Sequence, residues 1–174
     1  MKPAQSIPDG RFGVSSSLHS MLTFSSIVTA GKKGFMSTAK PLSGIRVVEL
    51  GQLLAGPFTG AILGYFGAEV IKIEPPGGDP LRQWREVHNG TSFWYRSLGR
   101  NKKSVVLDLK TEKGRDVTRR LLKTADVVIE NFRPGTMEKW ALGPADIKLD
   151  NPGLIYARIS GYGQTGPFSQ KPGY

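Results

Sequence analysis

The stretch Gly44–Glu74, GIRVVELGQLLAGPFTGAILGYFGAEVIKIE, decides the architecture. Its opening is a short run rich in β-branched residues and reads as a buried strand over Arg46–Leu50. A turn and an apolar helix from about Pro57 to Tyr65 follow, with Pro57 in the first turn, where its missing N–H costs nothing. Gly67 closes that helix, and AEVIKIE gives a second strand over Glu69–Glu74. Strand, helix and strand in so short a span imply a right-handed parallel unit.

Outward from this unit the same alternation continues. Residues 75–103, PPGGDPLRQWREVHNGTSFWYRSLGRNKK, carry Pro, Gly and aromatics with little periodicity, and read as a long functional loop. SVVLDL resumes as a strand over Ser104–Leu109. Thr111 and Gly114 then precede a helix in which Val117, Leu121 and Leu122 share a face. ADVVIENF gives a fourth strand, a helix starts near Pro134, and GLIYARISGYG supplies a fifth strand before a glycine-rich end. The order β-α-β-loop-β-α-β-α-β predicts an α/β fold, a Rossmann-like open parallel sheet with helices on both faces.

Residues 41–174 are thus expected to form one domain, preceded by a segment of different character. Residues 1–40 are rich in Ser and Thr and carry five Lys or Arg against the single acid Asp9. Such basic, acid-poor leaders resemble organelle transit peptides, so mitochondrial import is the preferred reading. A disordered tail, or a chain beginning at Met21 or Met36, is the alternative, with a cytoplasmic protein as its consequence.

Composition narrows the chemistry. The 174 residues are 39% hydrophobic and 22% charged, and no run of apolar residues is long enough for a membrane span. There is no cysteine, so disulfides, thiolate metal sites and cysteine nucleophiles are excluded within this sequence. The net charge of +10 suits an anionic partner, but no zinc-finger spacing or RNA-binding signature accompanies it, so nucleic acid is not the expected ligand. No metal or tightly bound cofactor is expected.

Ligands of open parallel sheets bind at the carboxyl ends of the strands. Here those ends are GQLLAGP, EPPGGDP, LKTEKG, ENFRPG and SGYGQTG, which are glycine-rich and carry cations, as a phosphorylated ligand requires. A dinucleotide-binding domain uses the same architecture. However, the first turn is GQLLAGP and not GxGxxG, so the glycines for close pyrophosphate approach are missing.

Taken together, VVELGQLLAGPFTGAILGYFGAEVIKIEPPGGDPLR, GRNKKSVVLDLKTEKG, ENFRPGTMEKWALG and ISGYGQTGP resemble, in order, the family III acyl-CoA transferases of CaiB/BaiF type. This group includes formyl-CoA, carnitine and succinate-dependent dicarboxylate CoA-transferases and α-methylacyl-CoA racemase. The resemblance implies a two-domain subunit whose large domain is built from both ends of the chain, two subunits forming an interlocked homodimer. Residues 41–174 would be the N-terminal, coenzyme-A-binding part of that domain. Coenzyme A or acyl-CoA and a carboxylic acid are the implied substrates.

The family's binding positions fall here on Leu54 and Ala55 in the first turn, Leu107 and Lys110 near the adenosine end, and Asn131, Phe132 and Arg133 in ENFRPG. Lys139 stands where the family often has Arg, keeping the charge without the bidentate fork. Tyr174 falls where transferases place Tyr or Phe and the racemase a catalytic His, which favours transfer over racemisation. Pro75 departs from members with a basic residue there. Each of these also has a plain structural reading: Leu54, Leu107 and Phe132 as core, and Lys110, Arg133 and Lys139 as solvated charges.

The resemblance further implies covalent relay through an aspartate. A carboxylate attacks the thioester to give an acyl-aspartyl anhydride and the CoA thiolate, which returns to form an aspartyl-CoA thioester from which the acceptor acid takes CoA. That aspartate matches a segment beyond Tyr174, so no catalytic residue is expected within these residues and the chain alone is expected to be inactive. A non-catalytic CoA-binding module is the alternative. Glu74 and Glu130 read as loop-organising acids and Asp79 as a turn former, while Arg100, Lys102 and Lys103 read equally as surface, dimer-contact or coenzyme-contact cations.

Overall fold

The computed structural model describes residues 39–173, so the leader and Tyr174 lie outside the described residues. Five strands form one sheet in which every pair is parallel. In chain order the elements are β1 (Arg46–Glu49), α1 (Ala55–Tyr65), β2 (Glu69–Glu74), β3 (Val87–His88), β4 (Thr91–Ser92), α2 (Phe93–Leu98), β5 (Lys102–Val106) and α3 (Glu112–Leu122). They continue with β6 (Val127–Glu130), α4 (Thr136–Lys139), α5 (Pro144–Lys148) and β7 (Ile155–Arg158). The order across the sheet is β5-β2-β1-β6-β7. The chain therefore winds outward from β1 in one direction and then in the other, as in doubly wound nucleotide-binding sheets, and the reversal lies between β1 and β6.

Central β1 is apolar on both faces because both are covered. Val48 belongs to a core with Ile73, Leu122, Val128, Met137 and Ile147, while Val47 packs on the other side with Ala68, Val70 and Ile129. Helix α1 meets the sheet mostly with small residues, burying Gly56, Pro57, Gly60, Ala61 and Gly64 beside a half-buried Leu63, and Phe58, Tyr65 and Phe66 stay exposed. Gly67, at φ +104°, takes the left-handed turn into β2. Helix α3 is capped by Thr111, whose hydroxyl accepts the Gly114 N–H at 3.1 Å. Its buried line is Gly114, Thr118 and Leu122. Val117 and Leu121 are only half-buried, so the apolar face expected there is rotated toward the smaller residues.

Three expectations shift. Strand β5 begins at Lys102 and ends at Val106, two residues earlier than Ser104 and well short of Leu109. The Lys102 ammonium is drawn inward to Glu49, which registers the strand, while Leu107 and Leu109 leave it and turn into the core. The long loop is partly ordered: a 3-10 turn covers Pro80–Gln83, β3 and β4 form an antiparallel hairpin, and Ser92 caps α2. The hairpin turn is Asn89-Gly90, both at positive φ, as a type I′ turn requires. The helix near Pro134 is two short pieces, α4 and α5, separated where Ala141 takes φ +53°.

Candidate functional site at the β1–β6 switch point

In doubly wound sheets the ligand crevice opens where the strand order reverses, outside the carboxyl ends of the two strands involved. Here those ends are the β1–α1 turn, Leu50–Leu54, and the loop after β6, Asn131–Gly135. The Asn131 side chain joins them: its Oδ1 accepts the Gln52 N–H at 2.8 Å and its Nδ2 donates to the Gln52 carbonyl at 3.0 Å. Only glycine permits this approach, since a Cβ on Gly51 would lie 2.6 Å from the Gly56 Cα and 2.9 Å from Asn131 Oδ1.

Beneath the turn lies a group of four buried charges. Glu49 in β1 pairs with Lys72 in β2 at 2.8 Å and with Lys102 in β5 at 2.6 Å, and Lys72 pairs with Asp79 at 2.7 Å. All four side chains are at most 2% exposed. Burial lowers the Lys102 pKa, and the Glu49 carboxylate works against that shift. Glu49 needs space that α1 leaves open, because a Cβ on Gly60 would fall 2.0 Å from Glu49 Oε2.

A second acid organises the next loop. Glu74 accepts from Arg82 Nε at 2.7 Å, Ser104 Oγ at 2.6 Å, the Asp79 N–H at 2.8 Å and Tyr95 OH at 2.9 Å. Burial alone would raise the Glu74 pKa, but these hydrogen bonds outweigh it and hold the carboxyl at about 2. The Tyr95 phenol is pushed well above its ordinary value by burial and by the Glu74 carboxylate it donates to. On the far side, Arg158 in β7 bridges Glu130 at 2.7 Å and Glu138 at 2.6 Å. Glu74, Asp79 and Glu130 are thus occupied as loop-organising acids.

Most residues singled out from sequence lie along the same edge of the sheet. Leu54, half-buried, is the N-cap of α1 and makes no side-chain cap bond; Ala55, exposed, is the first helical residue. Leu107 and Phe132 pack on the larger core, Phe132 edge-on to Trp140 at 5.3 Å. Lys110, Arg133 and Lys139 are exposed, beyond β5, beyond β6 and at the end of α4. Asn131 is committed through its amide to the Gln52 backbone. Of the GRNKKS cations, Lys102 is a buried partner of Glu49, and Lys103 pairs with Glu69 at 2.6 Å.

Sequence reasoning missed the Glu49–Lys72–Asp79–Lys102 group. The signal was present as charges set among the apolar residues of two strands, RVVE and EVIKIE, and the register sets Glu49 directly beside Lys72. Among the described residues no cluster of His, Cys, Asp and Glu could hold a metal, and no helix is long and apolar enough to cross a membrane.

Residues 42–174 match the model of CoA-transferase family III. The chain belongs to that family. Among curated relatives, the succinyl-CoA–D-citramalate CoA-transferase of Chloroflexus aurantiacus is 53% identical over 137 residues, which are 78% of this chain and 34% of that protein. The succinyl-CoA–L-malate CoA-transferase alpha subunit of the same organism is 51% identical over 138 residues, 77% of this chain and 32% of the relative. A crystal structure of a CAIB/BAIF family protein from Brucella suis superposes with a TM-score of 0.74 at 43% identity, covering 78% of this chain and 37% of that one. The chain spans about a third of the length of the relatives it matches.

Proposed function

We propose that residues 41–174 form the coenzyme-A-binding part of a family III CoA-transferase that moves CoA from an acyl-CoA donor, with succinyl-CoA the first to test, to a carboxylic acid acceptor. The observation that carries this reading is the switch-point crevice, whose two loops are joined by Asn131 and whose sheet edge presents the exposed cations Lys110 and Arg133. The first turn of α1 has no acidic residue and no side-chain cap, which also suits an anionic ligand there. The names of the succinyl-CoA-dependent relatives support the donor and a dicarboxylic acceptor.

The chemistry proposed is relay through an enzyme aspartate outside these 174 residues, by way of an acyl-aspartyl anhydride and an aspartyl-CoA thioester. The well-partnered state of Glu74, Asp79 and Glu130 supports this, because a nucleophilic carboxylate must be free to meet a thioester. CoA is a substrate in this scheme, and the subunit works as an interlocked homodimer. The basic, acid-poor first forty residues support delivery to mitochondria.

Calorimetric titration of the purified chain tests the binding reading. CoA should bind and NAD should not, and the reverse result overturns it. Arg133→Ala and Lys110→Ala should each weaken CoA about two- to fivefold, as expected for exposed charge contacts, leaving the melting temperature unchanged. The polypeptide alone should exchange no CoA between succinyl-CoA and a dicarboxylic acid, and exchange by the purified 174 residues would refute the aspartate assignment.

A further inference from the structure

Four buried charges are a poor way to gain stability. Taking each ion out of water costs several kcal/mol, and a well-packed apolar replacement of a buried pair is often as stable or more so. The network under the β1–α1 turn therefore calls for a second explanation, and its hydrogen bonds supply one. Besides pairing with each other, three of its side chains bind the backbone of the turn and of the helix it opens. Lys72 Nζ donates to the Gly51 carbonyl at 2.8 Å, Asp79 Oδ1 accepts the Leu53 N–H at 3.1 Å, and Lys102 Nζ donates to the Pro57 carbonyl at 2.7 Å. Between the first two of these anchors, Gln52 is held through both its N–H and its carbonyl by Asn131.

The conformation held in this way is an unfavourable one. Leu53 sits at φ +60°, in the left-handed region that a leucine adopts only when its surroundings impose it. Leu53 is itself 40% exposed, and its part-buried N–H is donated to the Asp79 carboxylate. The same Asp79 Oδ1 also accepts the Leu81 N–H at 2.8 Å, its Oδ2 faces Lys72, and the Asp79 N–H donates to Glu74. Its position is thus set before the turn is considered.

We infer that Lys72 and Asp79 are positioning residues for the β1–α1 turn, locking the backbone of Gly51–Leu53 in the shape that meets coenzyme A. The inference rests on the proposed function for the identity of the ligand, but not for the lock itself. Both residues act through the backbone they hold.

The test is amide hydrogen exchange by NMR on the full chain, with CoA titrated in parallel. Asp79→Ala should speed exchange of the Leu53 N–H about tenfold, the scale set by losing one hydrogen bond to a charged group, while the Val128 and Ala157 amides keep their wild-type rates. The CoA dissociation constant should rise by a similar factor. Asp79→Asn should move both readouts in the same direction but less, because its amide oxygen still accepts the Leu53 N–H. Lys72→Met should speed Leu53 as well. An unchanged Leu53 rate, or one that rises only in step with Val128 and Ala157, overturns the inference. Should Asp79→Ala fail to fold, Asp79→Asn is read by the same criterion. If the wild-type chain does not bind CoA, the ligand assignment falls and the exchange rates alone decide whether Asp79 holds the turn.

Discussion

The two loops that meet at the switch point are held by opposite means. Beyond Leu50, which is buried in the core, the β1–α1 turn is fixed from outside: Lys72, Asp79 and Asn131 reach it from other elements and bind its backbone. The loop after β6 is held by its own residues, with Glu130 accepting the Phe132 N–H at 2.7 Å, Phe132 packed on Trp140, and the Thr136 N–H returned to the Arg133 carbonyl. The difference separates two tasks. A turn held from outside can present small and apolar side chains to a ligand, whereas a self-supporting loop is free to carry an exposed cation such as Arg133.

Removing the hub of the first arrangement should have the largest effect. Glu49→Ala leaves Lys72 with Asp79 alone and Lys102 with no carboxylate, and should cost about 3–5 kcal/mol of unfolding free energy in urea melts, the range for breaking a buried pair. A loss below about 1 kcal/mol, typical of exposed pairs, would mean that the network is far better hydrated than its burial indicates.

Asn131→Ala cuts the tie between the loops without touching the ion network. Two side-chain hydrogen bonds to the Gln52 backbone are lost and its N–H and carbonyl are left half-buried, for an expected cost of about 1–3 kcal/mol, with the shift in melting temperature as the readout. An effect equal to that of Glu49→Ala would erase the contrast between the two means of support.

The smallest expected effect is a pH dependence. Because the Glu74 pKa is depressed to about 2, its contribution to stability is complete above the ordinary carboxylate value and is lost as pH falls from there toward about 2. Unfolding midpoints followed downward from about pH 5 should therefore fall. Glu74→Gln, which cannot titrate, should show a shallower fall from a lower starting point. A slope unchanged by the substitution would assign the acid sensitivity to other groups, with the half-buried Glu69 carboxyl, held at about 2 by Lys103 and Arg46, as the first to examine.

Much of the sheet was legible because its strands are buried on both faces and so announce themselves as β-branched runs between glycines. The Glu69–Glu74 strand has the bounds read from sequence, and the helix opening with Pro57 in its first turn is where the apolar run placed it. What escaped has a common cause. The start of β5, the rotated face of α3 and the buried charges each depend on a partner outside the element concerned: Glu49 for Lys102, Asp108 for Gly114, whose Cβ would lie 2.1 Å from the Asp108 carbonyl oxygen, and Asp79 for Lys72. Local pattern reads a lysine within a strand as a solvent-facing residue, and only the register beside Glu49 reveals that it is enclosed. The hairpin is a different case, since Asn89-Gly90 is a local signal that the expectation of a long irregular loop passed over.

The enclosure of Lys72 and Lys102 has a practical consequence for chemical footprinting. Amine-reactive reagents need a solvent-reached ammonium, and Lys110 and Lys139 offer one while these two do not. Acylation of Lys72 therefore records openings of the switch point, and its rate compared with that of Lys110 measures how often the crevice floor comes apart in an otherwise folded chain.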